Sequence, residues 1–241
     1  MSVIAVIPAR YQSSRFPGKP LADLAGKPMI QQVYERVTQV DAIDRVLIAT
    51  DDQRIFEAVK MFGGNVIMTR SDHQTGTDRI VEAISSVECE WVLNVQGDEP
   101  LVDPGDLENL IQQTKQQESA KVSTLMYPIE DNETFNDPNV VKLIINARKE
   151  ALYFSRSPIP FEKEQHMTRW RHIGVYLYQR EFLLQFNQWE RTELELTEQL
   201  EQLRILDNGY SIFCVQAQKD GVGVDRPEDL IEAEKLLLSQ G

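Results

Sequence analysis

A Gly- and Pro-rich loop near the start of the chain carries three cations. Its sequence is PARYQSSRFPGKP (residues 8–20), and its basic residues are Arg10, Arg15 and Lys19. The loop separates a predicted strand from a predicted helix, and open α/β sheets bind their ligands at such junctions. Three converging cations, with the hydroxyl of Ser13 beside them, suit a triphosphate. A solvated surface loop is the alternative interpretation.

Two carboxylates follow another apolar run, in the sequence QGDEP. Asp98 and Glu99 would therefore lie at the same edge of the sheet as the cationic loop. A carboxylate beside a polyphosphate is a typical ligand of Mg²⁺, although Gly, Asp and Pro are also common turn residues. A further acid, Asp225, precedes the last predicted helix, where an acid at the helix N-terminus is the plainer interpretation.

A third stretch, MTRSDHQTGTDR (residues 68–79), is dense in side chains that form hydrogen bonds. Such a loop suits recognition of the edge of a base, and a capped helix start is the alternative. Its polar residues include Arg70, His73, Gln74, Thr75, Thr77 and Arg79.

Alternating strands and helices position these loops in the first half of the chain. Buried strands are predicted over residues 2–7, 45–50, 65–69 and 91–96, and helices over residues 28–40, 53–62 and 78–87. This order indicates a mostly parallel central sheet with helices on both faces.

The second half of the chain breaks this alternation and argues against a (β/α)₈ barrel. Four strands with short links, over residues 121–129, 140–145, 151–155 and 171–178, predict an antiparallel extension. Thr192 to Glu195 resembles a capping box, and the helix it opens is predicted to run to about Asp207. A strand over residues 211–217 and a helix from Pro227 to about Ser239 complete the prediction.

Composition limits the classes of partner. The chain has 241 residues, 41% of them hydrophobic, and a net charge of -13. An acidic chain is a poor partner for nucleic acid or an anionic membrane, yet residues 1–36 carry a local charge of +3, which favours a pocket for an anion. The first apolar run is too short for a signal peptide or a membrane span, so the prediction is a cytoplasmic protein.

Ten motifs, in order along nearly the whole chain, closely resemble the bacterial 3-deoxy-manno-octulosonate (Kdo) cytidylyltransferases. They are PARYQSSRFPGKPL, GKPMIQQVYERV, IATDD, MTRSDHQTGTDR, NVQGDEP, DPNVVK, ALYFSRSPIP, RHIGVYLY, LEQLR and GVDRPEDL. The resemblance implies that CTP and Kdo react to give CMP-Kdo and diphosphate, with Mg²⁺ as cofactor, for lipopolysaccharide biosynthesis.

The resemblance also implies an architecture. It is a Rossmann-like nucleotide-diphospho-sugar transferase fold, with an antiparallel dimerisation extension and a homodimer as the assembly. Residues 1–241 would form a single cytidylyltransferase domain, with a nucleotide-binding part over about 1–120 and a sugar-binding and dimerisation part over about 121–241.

Site residues follow from the resemblance motif by motif. The CTP-binding residues would be Arg10, Ser13, Arg15, Lys19, Arg70, Gln74 and Thr75. The catalytic residues would be Lys19, Asp98 and Asp225, of which the two aspartates would bind the metal. The sugar-binding residues would be Gln96, Arg156, His172, Tyr176, Glu201 and Gln202.

Three other functions stay open from the sequence. One is a cytidylyltransferase that acts on 8-amino-Kdo or on a nonulosonic acid. Another is a non-catalytic CTP-binding protein, which the retention of the three cations and both aspartates disfavours. The third is a nucleotidylyltransferase that acts on a sugar 1-phosphate.

Overall fold

The computed structural model describes residues 2–12, 16–164, 167–221, 223–224 and 226–239. The chain divides into two compact units, Met1–Glu108 with Gly221–Gly241, and Asn109–Asp220. The functional division near residue 120 stays a prediction.

Eleven strands and nine α-helices occur in the described part of the chain. The strands are β1 (Val3–Ala9), β2 (Asp23–Leu24), β3 (Lys27–Pro28), β4 (Arg45–Thr50), β5 (Val66–Met68), β6 (Trp91–Asn94), β7 (Val122–Ile129), β8 (Lys142–Ile145), β9 (Ala151–Ser155), β10 (Arg169–Gln179) and β11 (Phe213–Gln216). The helices are α1 (Met29–Val37), α2 (Gln53–Met61), α3 (Gly76–Ile84), α4 (Pro104–Gln116), α5 (Asn132–Asn136), α6 (Arg180–Phe186), α7 (Glu193–Glu198), α8 (Leu203–Asp207) and α9 (Asp229–Ser239).

The first unit is built on parallel strands in the order β6-β1-β4-β5. Every residue of β1 is buried. Because alternate side chains of a strand point to opposite faces, this burial means that both faces of the sheet are covered. The parallel, helix-covered sheet predicted from the sequence is confirmed.

Pro8 extends β1 further than predicted. The sequence places the end of the strand at Ile7, but Pro8 and Ala9 pair with β4. The pairing of β1 with β6 stops at Val6 and Asn94. The backbone hydrogen-bonding groups of Val6 point toward β6, since the Val6 carbonyl accepts from the Val95 N–H. Pro8 is two residues further along the strand, so its backbone nitrogen points to the same side. Its missing N–H therefore breaks no ladder hydrogen bond.

The C-terminal segment completes the core of the first unit. Val224 and Ala233 are buried in one hydrophobic cluster with Leu24, Met29 and Leu101. Three more residues of α9 and the partly buried Phe16 pack against this cluster. Residues 221–239 therefore support the start of the chain, including the segment that carries Lys19.

The second unit has strands in the order β11-β7-β10, with β8 pairing to β10 and β9 to β8. β11 and β7 are parallel, and the other pairs in this unit are antiparallel. The predicted antiparallel strands are thus present. Their role in dimerisation stays a prediction.

The single helix predicted from Thr192 to Asp207 is wrong, because α7 and α8 are separate. Gln199 ends α7 in the left-handed conformation, with φ 54° and ψ 47°. The capping box is only half formed. Thr192 Oγ1 accepts from the Glu195 N–H, but the Glu195 carboxylate binds Arg204 of α8 instead of returning to Thr192.

Candidate active site

The cationic loop is closed at its base by backbone contacts. The Gly18 N–H donates to the Tyr11 carbonyl at 2.8 Å. Gly18 has φ 75°, and a Cβ there would lie 3.1 Å from the Tyr11 ring, so glycine suits this closure. The Arg54 guanidinium stacks on the same tyrosine, 3.2 Å from the Tyr11 ring centroid. The predicted residues Ser13 and Arg15 lie outside the described residues.

Lys19 opens a 3₁₀ turn and directs its side chain to Asp98. Its Nζ donates to Asp98 Oδ2 at 2.7 Å and to the Val224 carbonyl at 2.9 Å. The Val224 N–H in turn donates to the Asp98 carbonyl at 2.8 Å. Asp98 is therefore held between Lys19 and the backbone of Val224. Asp225, the next residue in the chain, lies outside the described residues.

Arg10 joins the cationic loop to the predicted base-reading loop. Its two terminal nitrogens donate to the carbonyls of Gln74, at 3.3 Å, and Thr75, at 2.6 Å. Partial burial, and then the charge of nearby Arg79, lower the pKa of Arg10, while Asp51 and Asp78 oppose this change. A partly desolvated guanidinium gains more from a neighbouring anion than an exposed one does.

Thr75 begins α3 with a complete capping box. Its N–H donates to Asp78 Oδ2 at 2.8 Å, and its Oγ1 accepts from the Asp78 N–H at 3.1 Å. A capped helix start is therefore present at Thr75, and base recognition by this residue stays a prediction. The cap fixes the carbonyls that Arg10 contacts, so Thr75 supports the site through its backbone.

Glu82 holds the part of this loop around Arg70 and His73 in place. Its carboxylate binds His73 Nε2 and accepts from the Arg70 N–H at 3.2 Å. Burial alone would raise the pKa of Glu82, but these hydrogen bonds bring it below its ordinary value. The side chains of Arg70 and Gln74 remain exposed, which leaves both accessible to a base.

Arg79 has a different role from the one its position in the motif suggests. The residue is completely buried. Its NH2 lies 2.9 Å from Asp51 Oδ2, and its NH1 donates to Thr69 Oγ1. Arg79 thus ties α3 to the ends of β4 and β5 and is not available to a base.

Arg10, Lys19 and Asp98 line a cavity of about 320 Å³ at the carboxyl ends of β1 and β6. Gly97 allows the two strand ends to approach, since a Cβ there would lie 3.0 Å from the Pro8 carbonyl oxygen. The cavity is lined by Pro8, Ala9, Arg10, Gln12, Lys19, Pro20, Gly76, Gln96, Gly97 and Asp98. Ligands of open α/β sheets bind at this edge.

The donor set fits Mg²⁺ better than a transition metal. The described ranges contain no cluster of three or more His, Cys, Asp or Glu side chains that could hold a metal ion by themselves. Mg²⁺ typically takes one or two carboxylates and completes its shell with phosphate oxygens and water. The Asp98 side chain is 34% exposed and faces the cavity, so its carboxylate can share an ion with a bound triphosphate.

The predicted sugar-binding residues divide between the units. Gln96 belongs to the first unit, where its Nε2 donates to Asn94 Oδ1 at 2.9 Å. The other five lie in the second unit, where Arg156 directly follows β9 and His172 and Tyr176 lie on β10.

Arg156 is held from both sides within the second unit. Its Nε donates to the Glu198 carbonyl at 3.0 Å and its NH1 to the Pro138 carbonyl at 3.1 Å. The neighbouring Lys142 is completely buried, and its Nζ donates to the Arg156 carbonyl at 2.5 Å. Burial lowers the pKa of Lys142. Sequence reasoning missed Lys142 and Glu198; a lysine inside the apolar run VVKLII was the available signal.

His172 and Tyr176 belong to an aromatic cluster on β10. The His172 ring packs edge-on against Phe154, with ring centroids 5.3 Å apart, and is tilted against Tyr176 at the same separation. Desolvation, with the charge of Arg171, lowers the pKa of His172 to about 3. Burial, together with Tyr178, raises the pKa of Tyr176 well above its ordinary value. Both side chains are therefore neutral at pH 7.

Glu201 and Gln202 lie in the short link between α7 and α8. A buried ion pair fixes this link, since Arg204 Nε and NH2 donate to the two oxygens of Glu195 at 2.7 and 2.8 Å. The NH2 of Arg204 also lies 3.4 Å from Glu201 Oε1. Gln202 is 6% exposed, and its Nε2 has no hydrogen-bond partner among the described residues.

Comparisons with known proteins identify the class to which this fold and site belong. A family model described as Cytidylyltransferase matches residues 4–212. The chain therefore belongs to the cytidylyltransferase family, which makes it a nucleotidyltransferase.

Close relatives carry one particular name within that family. A protein of Syntrophotalea carbinolica named 3-deoxy-manno-octulosonate cytidylyltransferase is 49% identical over 244 residues, covering 97% of this chain and 98% of the relative. An Escherichia coli protein of the same name is 45% identical over 238 residues, covering 98% and 96%.

A solved structure agrees with these relatives. It is described as CMP:2-keto-3-deoxy-manno-octonic acid synthetase complexed with CTP, and it matches with a TM-score of 0.96 at 43% identity over 100% of both chains. The resemblance predicted from the ten motifs is confirmed, and so is the nucleotidyltransferase fold.

None of the helices in the described part of the chain is both long and apolar enough to cross a membrane.

Proposed function

We propose that the protein transfers the cytidylyl group of CTP to the anomeric hydroxyl of Kdo, giving CMP-Kdo and diphosphate for lipopolysaccharide biosynthesis. The observation that carries the proposal is the Lys19–Asp98 pair. It lies beside Arg10 in a cavity at the carboxyl ends of parallel strands, in a chain of the cytidylyltransferase family.

The reaction is an in-line displacement at the α-phosphorus of CTP. The sugar hydroxyl oxygen forms a bond to phosphorus and releases its proton to solvent, while the bond from phosphorus to the bridging oxygen breaks and diphosphate leaves. The protein's contribution is to position the reactants and to neutralise charge. Lys19 and Arg10 would donate to phosphate oxygens, and Arg15 of the same loop would join them.

Asp98 and Asp225 would hold Mg²⁺ at this site. When bound, the ion would supply positive charge to the α-phosphate and to the leaving diphosphate. Lys19 neutralises Asp98 through their ion pair. We expect the Lys19 ammonium to turn from Asp98 to a phosphate oxygen when CTP binds, because the carboxylate then gains another cation.

The nucleotide and the sugar acid would be recognised by separate groups. Arg70, Gln74 and Thr75 would bind the cytosine, and the loop they share is held by Arg10 and Glu82. Arg156 would pair with the sugar carboxylate, for which a planar guanidinium is suited. His172, Tyr176, Glu201, Gln202 and Gln96 would complete the sugar site. A homodimer and a cytoplasmic location belong to the same proposal.

Release of diphosphate tests the proposal directly. The purified protein is incubated with CTP and Mg²⁺, with and without Kdo. We expect release that requires Kdo and that is weak with ATP, GTP or UTP. Release with 8-amino-Kdo or a nonulosonic acid, but not with Kdo, would assign that sugar acid as the substrate instead of Kdo. Binding of CTP without release for any sugar acid would make the protein a non-catalytic CTP-binding protein.

A further inference from the structure

The Arg156 guanidinium is oriented by carbonyls from two segments distant in sequence. Its Nε is directed to Glu198, 42 residues later, and its NH1 to Pro138, 18 residues earlier. Two hydrogen bonds on different nitrogens fix the plane of a guanidinium, because its five N–H groups form a rigid fork. The orientation of Arg156 therefore depends on how firmly these two carbonyls are held.

Glu198 holds Arg156 by its backbone as well as its side chain. The Glu198 carboxylate accepts from the Arg156 N–H at 3.0 Å and from Ser155 Oγ at 2.6 Å. Glu198 is the last residue of α7, where carbonyls lack partners within the helix. One residue thus supplies a carbonyl to the guanidinium and a carboxylate to the strand end that carries it.

Lys142 secures the other carbonyl. Its Nζ donates to Asp137 at 2.8 Å, to Val140 at 2.6 Å and to Arg156 at 2.5 Å, in each case to the backbone oxygen. These three bonds use all three donors of the ammonium. Since Pro138 lies between the first two acceptors, Lys142 connects the loop that accepts from Arg156 to Arg156 itself.

Burying the Lys142 ammonium has a desolvation cost. Burying a charge without a partner lowers the stability of the folded state by roughly several kcal/mol. Even when the charge is paired, an apolar residue of similar size often gives the same stability. A methionine would fill the space of Lys142, but it would leave three carbonyls without a donor. The arrangement specifies geometry around Arg156 more than it adds stability.

We propose that Lys142 and Glu198 are positioning residues, which set the orientation of the Arg156 guanidinium toward the carboxylate of the sugar acid. The inference rests on the proposed function, because it takes Kdo as the ligand of Arg156. Neither residue touches the substrate, and both act through Arg156.

Steady-state kinetics of three single variants test the inference. We expect Arg156→Ala, Glu198→Ala and Lys142→Met each to raise the KM for Kdo by about tenfold or more, which corresponds to one charge-assisted hydrogen bond. The KM for CTP should change less than about twofold on the same scale. Glu193→Ala, at an exposed site in the first turn of α7, and Lys163→Met, at an exposed loop site, are the matched controls.

A double-mutant cycle separates positioning from general damage. If Glu198 acts through Arg156, adding Glu198→Ala to Arg156→Ala should raise the KM for Kdo no further. Additive effects would overturn the inference, as would equal increases in the KM for Kdo and for CTP. If Lys142→Met does not fold, the Glu198→Ala cycle decides alone, since the Glu198 side chain is not in the core.

The failure of the proposed function would look different. Absence of Kdo-dependent diphosphate release by the unaltered protein would refute the function. An unchanged KM for Kdo in Arg156→Ala would remove Arg156 from the sugar site and overturn the inference with it. A raised KM in Arg156→Ala with unaltered kinetics in both Glu198→Ala and folded Lys142→Met would overturn the inference alone.

Discussion

The ammonium of Lys19 and the carboxylate of Asp98 form an ion pair at 2.7 Å, with side chains 14% and 34% exposed. The pair joins two loops 79 residues apart in sequence, each at the carboxyl end of a parallel strand. At one sheet edge, the cation can bind a phosphate and the anion can bind a metal ion. Separate substitutions of the two residues should therefore give different kinetic defects.

Lys19→Ala should lower the rate of diphosphate release by about 10²–10³, the usual loss for one preorganised donor to developing charge. Initial rates at saturating CTP and Kdo measure this effect. Lys27→Ala is the matched control, because Lys27 is a half-buried lysine of the same unit that pairs with Glu35. An unchanged rate for Lys19→Ala would remove the residue from the catalytic site.

Asp98→Ala should abolish activity at every Mg²⁺ concentration while the fold remains intact. The carboxylate is 34% exposed, and the Lys19 ammonium that loses it keeps its hydrogen bond to the Val224 carbonyl. A Mg²⁺ titration of initial rates, with thermal unfolding as the check on folding, measures both. Asp23→Ala serves as the control at an exposed aspartate. A normal Mg²⁺ titration by Asp98→Ala would refute the metal-binding role.

Stability should fall with acid partly through His172. Its pKa is about 3 in the folded protein and about 6.5 in an unfolded chain. The unfolded state therefore takes up a proton first as the pH falls below 6.5, which lowers the free energy of unfolding. As the pH falls from 7.5 to 5.5, His172 alone should lower the free energy of unfolding by about 1 kcal/mol.

Urea unfolding of the protein and of His172→Gln at several pH values isolates that contribution. The variant should lose less stability than the unaltered protein over the same range, since glutamine does not titrate and keeps a donor for Thr124 Oγ1, 3.0 Å from His172 Nε2. Equal losses in the two proteins would mean that the His172 ring titrates normally.

Removal of one partner of the buried Glu195–Arg204 ion pair should lower the free energy of unfolding substantially. Glu195→Gln leaves a guanidinium that is 6% exposed without its carboxylate, and such changes typically cost about 3–5 kcal/mol. Urea unfolding at pH 7 measures the loss. Arg191→Gln, which removes the exposed partner of Glu195, should cost less than about 1 kcal/mol. Similar small losses in both variants would show that the pair contributes little.

The strands were the most predictable part of the fold. The runs RVLIAT and ALYFS give Arg45–Thr50 and Ala151–Ser155, with the same bounds in sequence and structure. Long apolar runs leave few alternatives, because only a covered strand buries every residue. Helix α4 was not predicted at all. It begins at a Pro-Gly pair, which is a typical turn signal.

The break between α7 and α8 shows where periodicity fails as a guide. Gln199 adopts positive φ with no glycine or asparagine to signal it, and the left-handed region is rarely used by such residues. The reason lies in tertiary contacts, since Glu195 and Glu198 are engaged by Arg204 and Arg156. No local pattern contains those partners.

Much of the site could be located from side-chain types, but its supports could not. Lys19, Asp98 and Arg10 were identified from charge and position at strand ends. The acceptors that orient Lys19 and Arg10 are carbonyls of Val224, Gln74 and Thr75. Every residue has a carbonyl, so a sequence carries no mark of which ones a cation will use.

The return of residues 221–239 to the first unit has a consequence for the order of events during synthesis. The first 108 residues leave the ribosome long before Val224, whose carbonyl accepts from Lys19 and whose side chain closes the cluster around Leu24 and Met29. Domains tend to fold as they emerge. Here the nascent N-terminal segment waits, with Lys19 and Asp98 lacking their backbone partner, until Val224 has been synthesised.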